Sequence, residues 1–393
     1  MKAGTATLGS TCSFLNGGTP DRSVARYFKG DIPWITSADI SGRSVSSVRS
    51  FITDEAVQKS ATNLVPTGTV LLVTRTGVGK VAIADTPVCF SQDITALIPN
   101  PRALDPTYLA HFLETQQTYF ERIARGATIK GITRDVVARL QIPLPPLAEQ
   151  RRIAEILDLG YAISTKRLAA LEMLPTMSRS VFLEIFERPE ADWPMRTIAE
   201  IADSSPGAIR TGPFGSQLLH GEFVSEGVAV LGIDNAVSNE FQWAKLRYIT
   251  RAKYQSLRRY TVKPGDVLIT IMGTCGRCAI VPNVMPLAIN TKHLCCITLD
   301  RRLARPEYLH AYFLLHPIAQ RYLSRSEKGA IMSGLNMAII KAMPIPLPPL
   351  ALQDYFAKLV DQWSVVRGRL RASLVQLDSL SGSLQNRAFR GDL

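Results

Sequence analysis

The chain has 393 residues, 46% of them hydrophobic, and 45 basic against 33 acidic side chains, for a net charge of +12. That length accommodates two globular cores and further elements, and no run of about 18 apolar residues implies a membrane span. The start, MKAGTATLGS, lacks an apolar leader core, and six cysteines in so long a chain do not make a disulfide framework, so a reducing cytoplasm is the expected compartment.

The charge is unevenly spread. It is +4 over residues 1–140, −1 over 141–190, +7 over 191–344 and +2 over 345–393. Two basic regions favour a polyanionic partner at two places.

In chain order, residues 69–73 (TVLLV) and 81–84 (VAIA) read as buried strands around a Gly-rich turn. Residues 106–125 read as one helix, with Tyr108, Leu109, Phe112 and Leu113 on one face and Phe120 and Ile123 extending it. Then comes IPLPPL at 142–147, which recurs letter for letter at 345–350, an offset of 203. The match spreads outward: Gln150, Asp158 and Phe186 face Gln353, Asp361 and Phe389. Earlier pieces repeat at offsets of 197 to 200, pairing Gly79-Lys80 with Gly276-Arg277 and Tyr108-Leu109 with Tyr308-Leu309. The chain is therefore an internal duplication. Residues 1–50 and 191–245 match poorly, as divergent loops on a shared scaffold would.

After each IPLPPL the pattern predicts a helix of about 40 residues, 147–186 and 350–389, or about 60 Å. The two prolines suit a first turn. Ile156, Ile163, Leu171, Leu174 and Val181 form an apolar stripe, matched by Leu359, Val366, Leu374, Leu377 and Leu384; Met177 and Leu380 fall on the same pattern. Helices this long bury such stripes on each other, antiparallel if the halves are related by a two-fold axis. Pro175 is expected to kink or interrupt the first of them.

Catalytic patterns are missing. There is no GxGxxG fingerprint and no Asp/Asn-Pro-Pro-aromatic motif, and no Asp or Glu is followed two residues later by Lys. Gly77-Val78-Gly79-Lys80 lacks both the upstream glycine and the following Ser or Thr of a phosphate-binding loop. Cys275 and Cys278 with Cys295 and Cys296 have poor zinc spacing, and Val78 and Val81 occupy the matching turn; small buried residues in a hairpin are the expected role. No metal ligands are nominated.

The loops suit nucleic acid better. Residues 211–217 (TGPFGSQ) form a Gly-rich loop offering amide and hydroxyl donors, with a weak analogue at 16–20 (NGGTP). Lys80 and Arg277 are candidate phosphate contacts. Loops 126–133 (GATIKGIT) and 329–336 (GAIMSGLN) precede the long helices. The nominated contacts are Thr36, Ser37, Arg75, Lys80, Lys130 and Thr133 in the first half. Thr211, Ser216, Gln217, Asn235, Arg277, Ser333 and Asn336 are nominated in the second.

Taken together, the segments at 142–157, 345–360, 211–218 (TGPFGSQL), 30–40 (GDIPWITSADI), 265–268 (GDVL) and 387–393 (RAFRGDL) make the chain resemble the specificity subunit of type I restriction–modification systems over nearly its whole length. The resemblance implies an α/β (α+β) fold with a pseudo-two-fold repeat: recognition domains at 1–141 and 191–344 with mixed sheets, and long antiparallel coiled-coil helices in the regions 142–190 and 345–393. It implies a non-catalytic, cytoplasmic subunit that reads a bipartite target on double-stranded DNA. Modification (methyltransferase) subunits, two per chain, dock on it, and restriction subunits join through them. No cofactor is then bound by this chain; S-adenosylmethionine and ATP belong to the partners. Leu352 and Asp354 depart from the first copy's Glu149 and Arg151. The other readings are a stand-alone binder of two unlike half-sites and a specificity subunit of another methylation or defence system.

Overall fold

A computed structural model describes residues 4–45, 47–124, 131–188, 191–244, 247–328, 335–390 and 392. Contacts divide the chain into two compact units, Met1–Leu168 with Arg371–Leu393, and Ala169–Leu370.

Among the described residues, each unit contains three sheets of the same topology. In the first unit, an antiparallel sheet runs in the order Cys12–Asn16, Ile94–Pro99, Val70–Val73, Val81–Ile83. Its counterpart runs Ile209–Thr211, Leu294–Ile297, Val267–Thr270, Cys278–Ile280. A mixed sheet runs Ser50–Ile52, Ile32–Ile35, Val88–Phe90, Leu64–Val65, mirrored by Arg247–Ile249, Val228–Leu231, Ala288–Asn290, Thr261–Val262. In both, the central pair is parallel. A two-stranded ladder closes each unit, Gly4–Thr7 with Gln141–Leu144 and Met195–Thr197 with Pro344–Pro346. The duplication thus extends through the segments whose sequences match poorly. The first unit adds one small hairpin, Ile40–Ser41 with Ser44–Val45.

Strand alternation explains the layering. Val70 and Leu72 pack toward the helices, whereas Leu71 and Val73 pack toward the mixed sheet. Val267 and Ile269 repeat the first direction and Leu268 the second. The antiparallel sheet is therefore the middle layer, apolar on both faces. The same alternation separates the cysteines: Cys278 and Cys295 face the helices, and Cys296 faces the mixed sheet. Burial pushes the Cys295 thiol up to about 12. These are packing residues, as the spacing suggested.

Three local expectations need correcting. The 106–125 segment is two helices, Pro106–Thr115 and Gln117–Ile123, in part because the Thr115 hydroxyl bonds back to the Phe112 carbonyl at 2.7 Å. The second unit breaks at the same place, between Pro306–Leu315 and Pro317–Lys328, where Pro317 has no N–H to continue the ladder. Pro175 does not interrupt its helix, which runs as one element over Leu147–Phe186; the residue is exposed, so one missing hydrogen bond is borne on the solvent side. Finally, Val366, Met177 and Leu380 are 44%, 49% and 53% exposed and lie off the buried stripe. On the second long helix, Leu350–Ala388, the half-buried positions include Trp363, Arg367, Leu370, Leu374, Leu377, Ser381 and Leu384, a period of 3.5 that bypasses Val366. Ile156, Ile163, Leu171, Leu174, Val181 and Leu359 are half-buried as well.

IPLPPL joins domain to helix in both copies. Ile142 and Ile345 are fully buried strand residues, and the helices start only at Leu147 and Leu350. Tyr108 donates its hydroxyl to the Pro143 carbonyl at 3.1 Å, and Tyr308 to Pro346 at 2.6 Å. Gln150 is 1% exposed; its amide donates to the Ala103 and Pro145 carbonyls and accepts from the Asp105 N–H, all at 2.9 Å. Gln353 does the same with Leu303, Pro348 and Arg305. Each unit also holds the end of the other long helix: Leu384, Ala388 and Phe389 join Ile153 and Leu157 in the first, and Phe182, Ile185 and Phe186 join Phe356 and Leu359 in the second. Within each unit the start of one helix lies beside the end of the other, so they are antiparallel.

Candidate functional site

The parallel strands decide where the loops gather. In the first unit the strands Ile32–Ile35 and Val88–Phe90 run side by side, so the loops leaving their carboxyl ends, 36–39 and 91–93, emerge together, the place where open sheets form binding crevices. The Gly17-Gly18 turn passes over the second of these loops. A Cβ on Gly17 would stand 2.0 Å from the Ser91 carbonyl oxygen, and one on Gly212 would stand 2.0 Å from that of Asn290. The NGGTP and TGPFGSQ loops are therefore structural equivalents, each needing glycine for close backbone approach.

Matching hydrogen bonds knit the loops. Ser91 N–H donates to the Ile35 carbonyl and Thr291 N–H to that of Leu231, both at 2.9 Å. Thr74 N–H donates to Asp93 at 2.8 Å, and Ile271 N–H to His293 at 2.9 Å, bringing the hairpin turns 74–80 and 271–277 alongside. Within those turns, Val73 N–H donates to the Lys80 carbonyl and Thr270 N–H to that of Arg277, each at 2.9 Å. The equivalence of Lys80 and Arg277 is thus geometric as well as sequential.

The nominated residues fall into three groups. Arg75, Lys80, Ser216, Gln217 and Arg277 are exposed on the loop clusters. The Lys80 ammonium stands 3.5 Å from the Ser37 carbonyl. Gln217 is also held in place, its amide oxygen accepting from the Tyr260 hydroxyl at 2.9 Å. A second group shapes the loops. Thr36 donates from N–H and hydroxyl to Asp39, each at 2.8 Å, while Asn235 accepts from Gly232 N–H at 2.8 Å and donates to the Gln242 carbonyl at 2.7 Å. Ser37 and Asn235 are buried and Thr211 is half-buried. The third group precedes the long helices. Thr133 and Asn336 are the N-caps of matching short helices, and Asn336 accepts from Ile339 N–H at 2.9 Å. Lys130 and Ser333 lie outside the described residues.

Sequence reasoning missed the loops 91–93 and 291–293. They align at offset 200, Ser91-Gln92-Asp93 with Thr291-Lys292-His293, and the signal was a polar triplet between two apolar strands in both copies. In the second unit this triplet borders a cleft of about 540 Å³, lined also by Gly232, Ile233, Asp234, His220 and Arg247. Burial, then the nearby Lys292 and Arg247 cations, hold the His293 imidazole below its usual value. In the first unit the corresponding hollow, about 320 Å³, is lined by Arg22, Phe28, Trp34 and Ser50; the Trp34 indole donates to the Gly18 carbonyl at 3.0 Å.

Residues 3–173 and 227–364 match the model of the type I restriction modification DNA specificity domain. The chain belongs to that family. It is 33% identical to the specificity subunit of the Escherichia coli EcoR124I/EcoR124II type I restriction enzyme over 39% of each chain. A match at 29% to the Methanocaldococcus jannaschii MjaIX specificity subunit likewise spans about two fifths of that relative, 40%. The Escherichia coli K12 EcoKI specificity subunit is 20% identical over 99% of this chain and 88% of its own. Among solved structures, the type I restriction-modification S subunit from M. genitalium superposes with a TM-score of 0.62 at 15% identity, covering 99% of this chain and 96% of that one. The duplicated α/β fold is therefore the family fold, and its members are named for specificity, not catalysis. Among the described residues no helix is long and apolar enough to cross a membrane, and no cluster of metal-ligating side chains occurs.

Proposed function

We propose that the chain is the sequence-reading, non-catalytic subunit of a type I restriction–modification complex, each loop cluster contacting one half of a split target on double-stranded DNA. The observation that carries this is the duplicated loop cluster at the carboxyl ends of paired strands, in a chain of net charge +12. One scaffold presents two different sets of polar side chains, which is what reading two unlike half-sites requires. Arg75, Lys80 and Arg277 supply sequence-independent attraction to phosphates. The long helices dock the modification subunits, two per chain, and restriction subunits join through those. S-adenosylmethionine and ATP are bound by the partners, and the complex works in the cytoplasm.

The test is methylation-site mapping with the modification subunit present. The chain alone transfers no methyl group; the complex modifies one bipartite site. Exchanging residues 1–140 for the matching domain of a relative changes one half-site and leaves the other. Methyl transfer by the isolated chain, or a simultaneous change of both halves, contradicts the proposal.

A further inference from the structure

The cleft of the second unit is lined by side chains of both signs, and this selects what can enter it. Lys292 is half-buried on its wall and takes no hydrogen bond or ion pair among the described residues. Asp234, also half-buried, lines the same cleft. The Thr291 hydroxyl oxygen is buried there without a hydrogen-bond partner among the described residues. At about 540 Å³ the cleft has the size of a small-ligand site.

A lining that offers a cation and a carboxylate together suits the edge of a base pair, which presents acceptors and a donor side by side. In the major groove guanine presents two acceptors, O6 and N7, and its partner cytosine presents the N4 amino donor. A lysine ammonium meets the first, and a carboxylate accepts from the second. We infer that Lys292 and Asp234 are specificity-determining residues of the second unit and together read one G·C pair, with Arg247 at the rim. This rests on the DNA-reading function proposed above and names which base pair this site takes. The first unit carries Gln92 and Ala38 at the matching positions. It therefore lacks both the cation and the carboxylate. Gln suits adenine N6 and N7.

The experiment uses the full chain assembled with its modification subunit and maps methylated sites across a genome. Lys292→Gln is expected to change a single position of one half-site, from guanine toward adenine, with preference for guanine falling roughly tenfold or more. Asp234→Ala is expected to relax the same position. The other half-site is unchanged in both. Lys292→Arg keeps a guanine-reading cation and should keep guanine, which controls for general disturbance of the loop. If Lys292→Gln leaves both half-sites intact, the assignment is wrong. It is also wrong if binding weakens equally on all sequences while the salt slope falls by about one, since Lys292 is then a phosphate contact. Neither result touches the broader function, which fails only if the unaltered complex shows no bipartite site.

Discussion

The two units share a backbone plan but bury different polar groups in it. In the second unit, Arg210 and Asp266 form an ion pair at 2.7 Å, 9% and 1% exposed. Asp266 also accepts from Lys263 N–H at 2.9 Å and from the Thr298 hydroxyl at 2.7 Å. The matching residues of the first unit are Leu15 and Thr69; Thr69 donates to the Pro66 carbonyl at 2.7 Å. The first unit in turn has its own cluster. Arg43 contacts Glu114 at 2.7 Å and Asp158, and the fully buried His111 lies 2.9 Å from Asp158. The second unit fills the places of His111 and Glu114 with Ala311 and Leu314. A shared fold thus constrains which positions are buried, not whether an apolar side chain or a satisfied polar network fills them.

The largest effect expected from this comparison concerns Asp266. Asp266→Ala leaves the Arg210 guanidinium buried and unpaired, which costs about 3–5 kcal/mol. The pair Arg210→Leu with Asp266→Thr installs the first unit's solution and should be close to neutral, because well-packed apolar replacements of buried ion pairs commonly are. Denaturant unfolding measures both. A double variant as unstable as the single one would mean the two units are not interchangeable at this site.

The second effect is on pH. Burial, then the adjacent Arg43 cation, holds the His111 imidazole down to about 4 against its ordinary 6.5, over the opposing pull of Asp158. The unfolded chain therefore takes up this proton first as the pH falls. Stability is complete above about 6.5 and is lost as the pH drops toward 4, by on the order of 3 kcal/mol. Burial also pushes the Glu114 carboxyl up, and that acts in the opposite sense, favouring the folded state at lower pH. Comparing the chain with His111→Gln between pH 7 and 4 isolates the histidine. The stability difference should shift steadily against the unaltered chain, and a pH-independent difference would show that His111 is not held neutral.

These networks explain what could be read in advance. The repeat was legible where the same side chain does the same job twice: Gln150 and Gln353 clamp the helix starts, and Tyr108 and Tyr308 reach the same carbonyl. It was illegible at 1–50 and 191–245, where the strands are two to five residues long. There the matched glycines at 17 and 212 and at 30 and 227, each needed for close backbone contact, are the sparse signal that remains. Lys80 and Arg277 could be matched because their turn is bounded by glycines and strands. Lys292 could not be noticed, because its partner in the other copy is Gln92 and nothing but position joins them. The stripe on the second long helix was misread at Val366 because apolar identity was followed instead of the 3.5-residue period, which passes through Arg367.

The smallest effect sharpens the same comparison at the helix starts. The departure at Asp354 has a structural reason: it pairs with Arg305 at 2.5 Å, whereas in the first unit the signs are exchanged, Arg151 lying 3.7 Å from Asp105. Both pairs tie the start of a long helix to the start of the helix packed beneath it, yet the two need not respond alike. Arg151 is 64% exposed and its pair is long, so Arg151→Asp should cost only a few tenths of a kcal/mol. Arg305 is 25% exposed, and Asp354→Arg would set two guanidinium groups together at a cost of about 1 kcal/mol. Asp105 is unsuitable for the reciprocal test because it also caps its helix, accepting from Thr107 and Tyr108 N–H at 2.9 and 3.1 Å; its loss would mix a cap with an ion pair. Arg305 makes no such cap. Arg305→Asp combined with Asp354→Arg therefore restores the ion pair in reversed polarity and adds a capping carboxylate ahead of Pro306. The double variant should regain the stability of the unaltered chain or exceed it, and the single-variant losses should shrink as salt is raised. A double variant no more stable than Asp354→Arg alone, at low salt, would mean that the reversed signs are incidental and that the clamp at each helix start is made by the glutamine amide without help from charge.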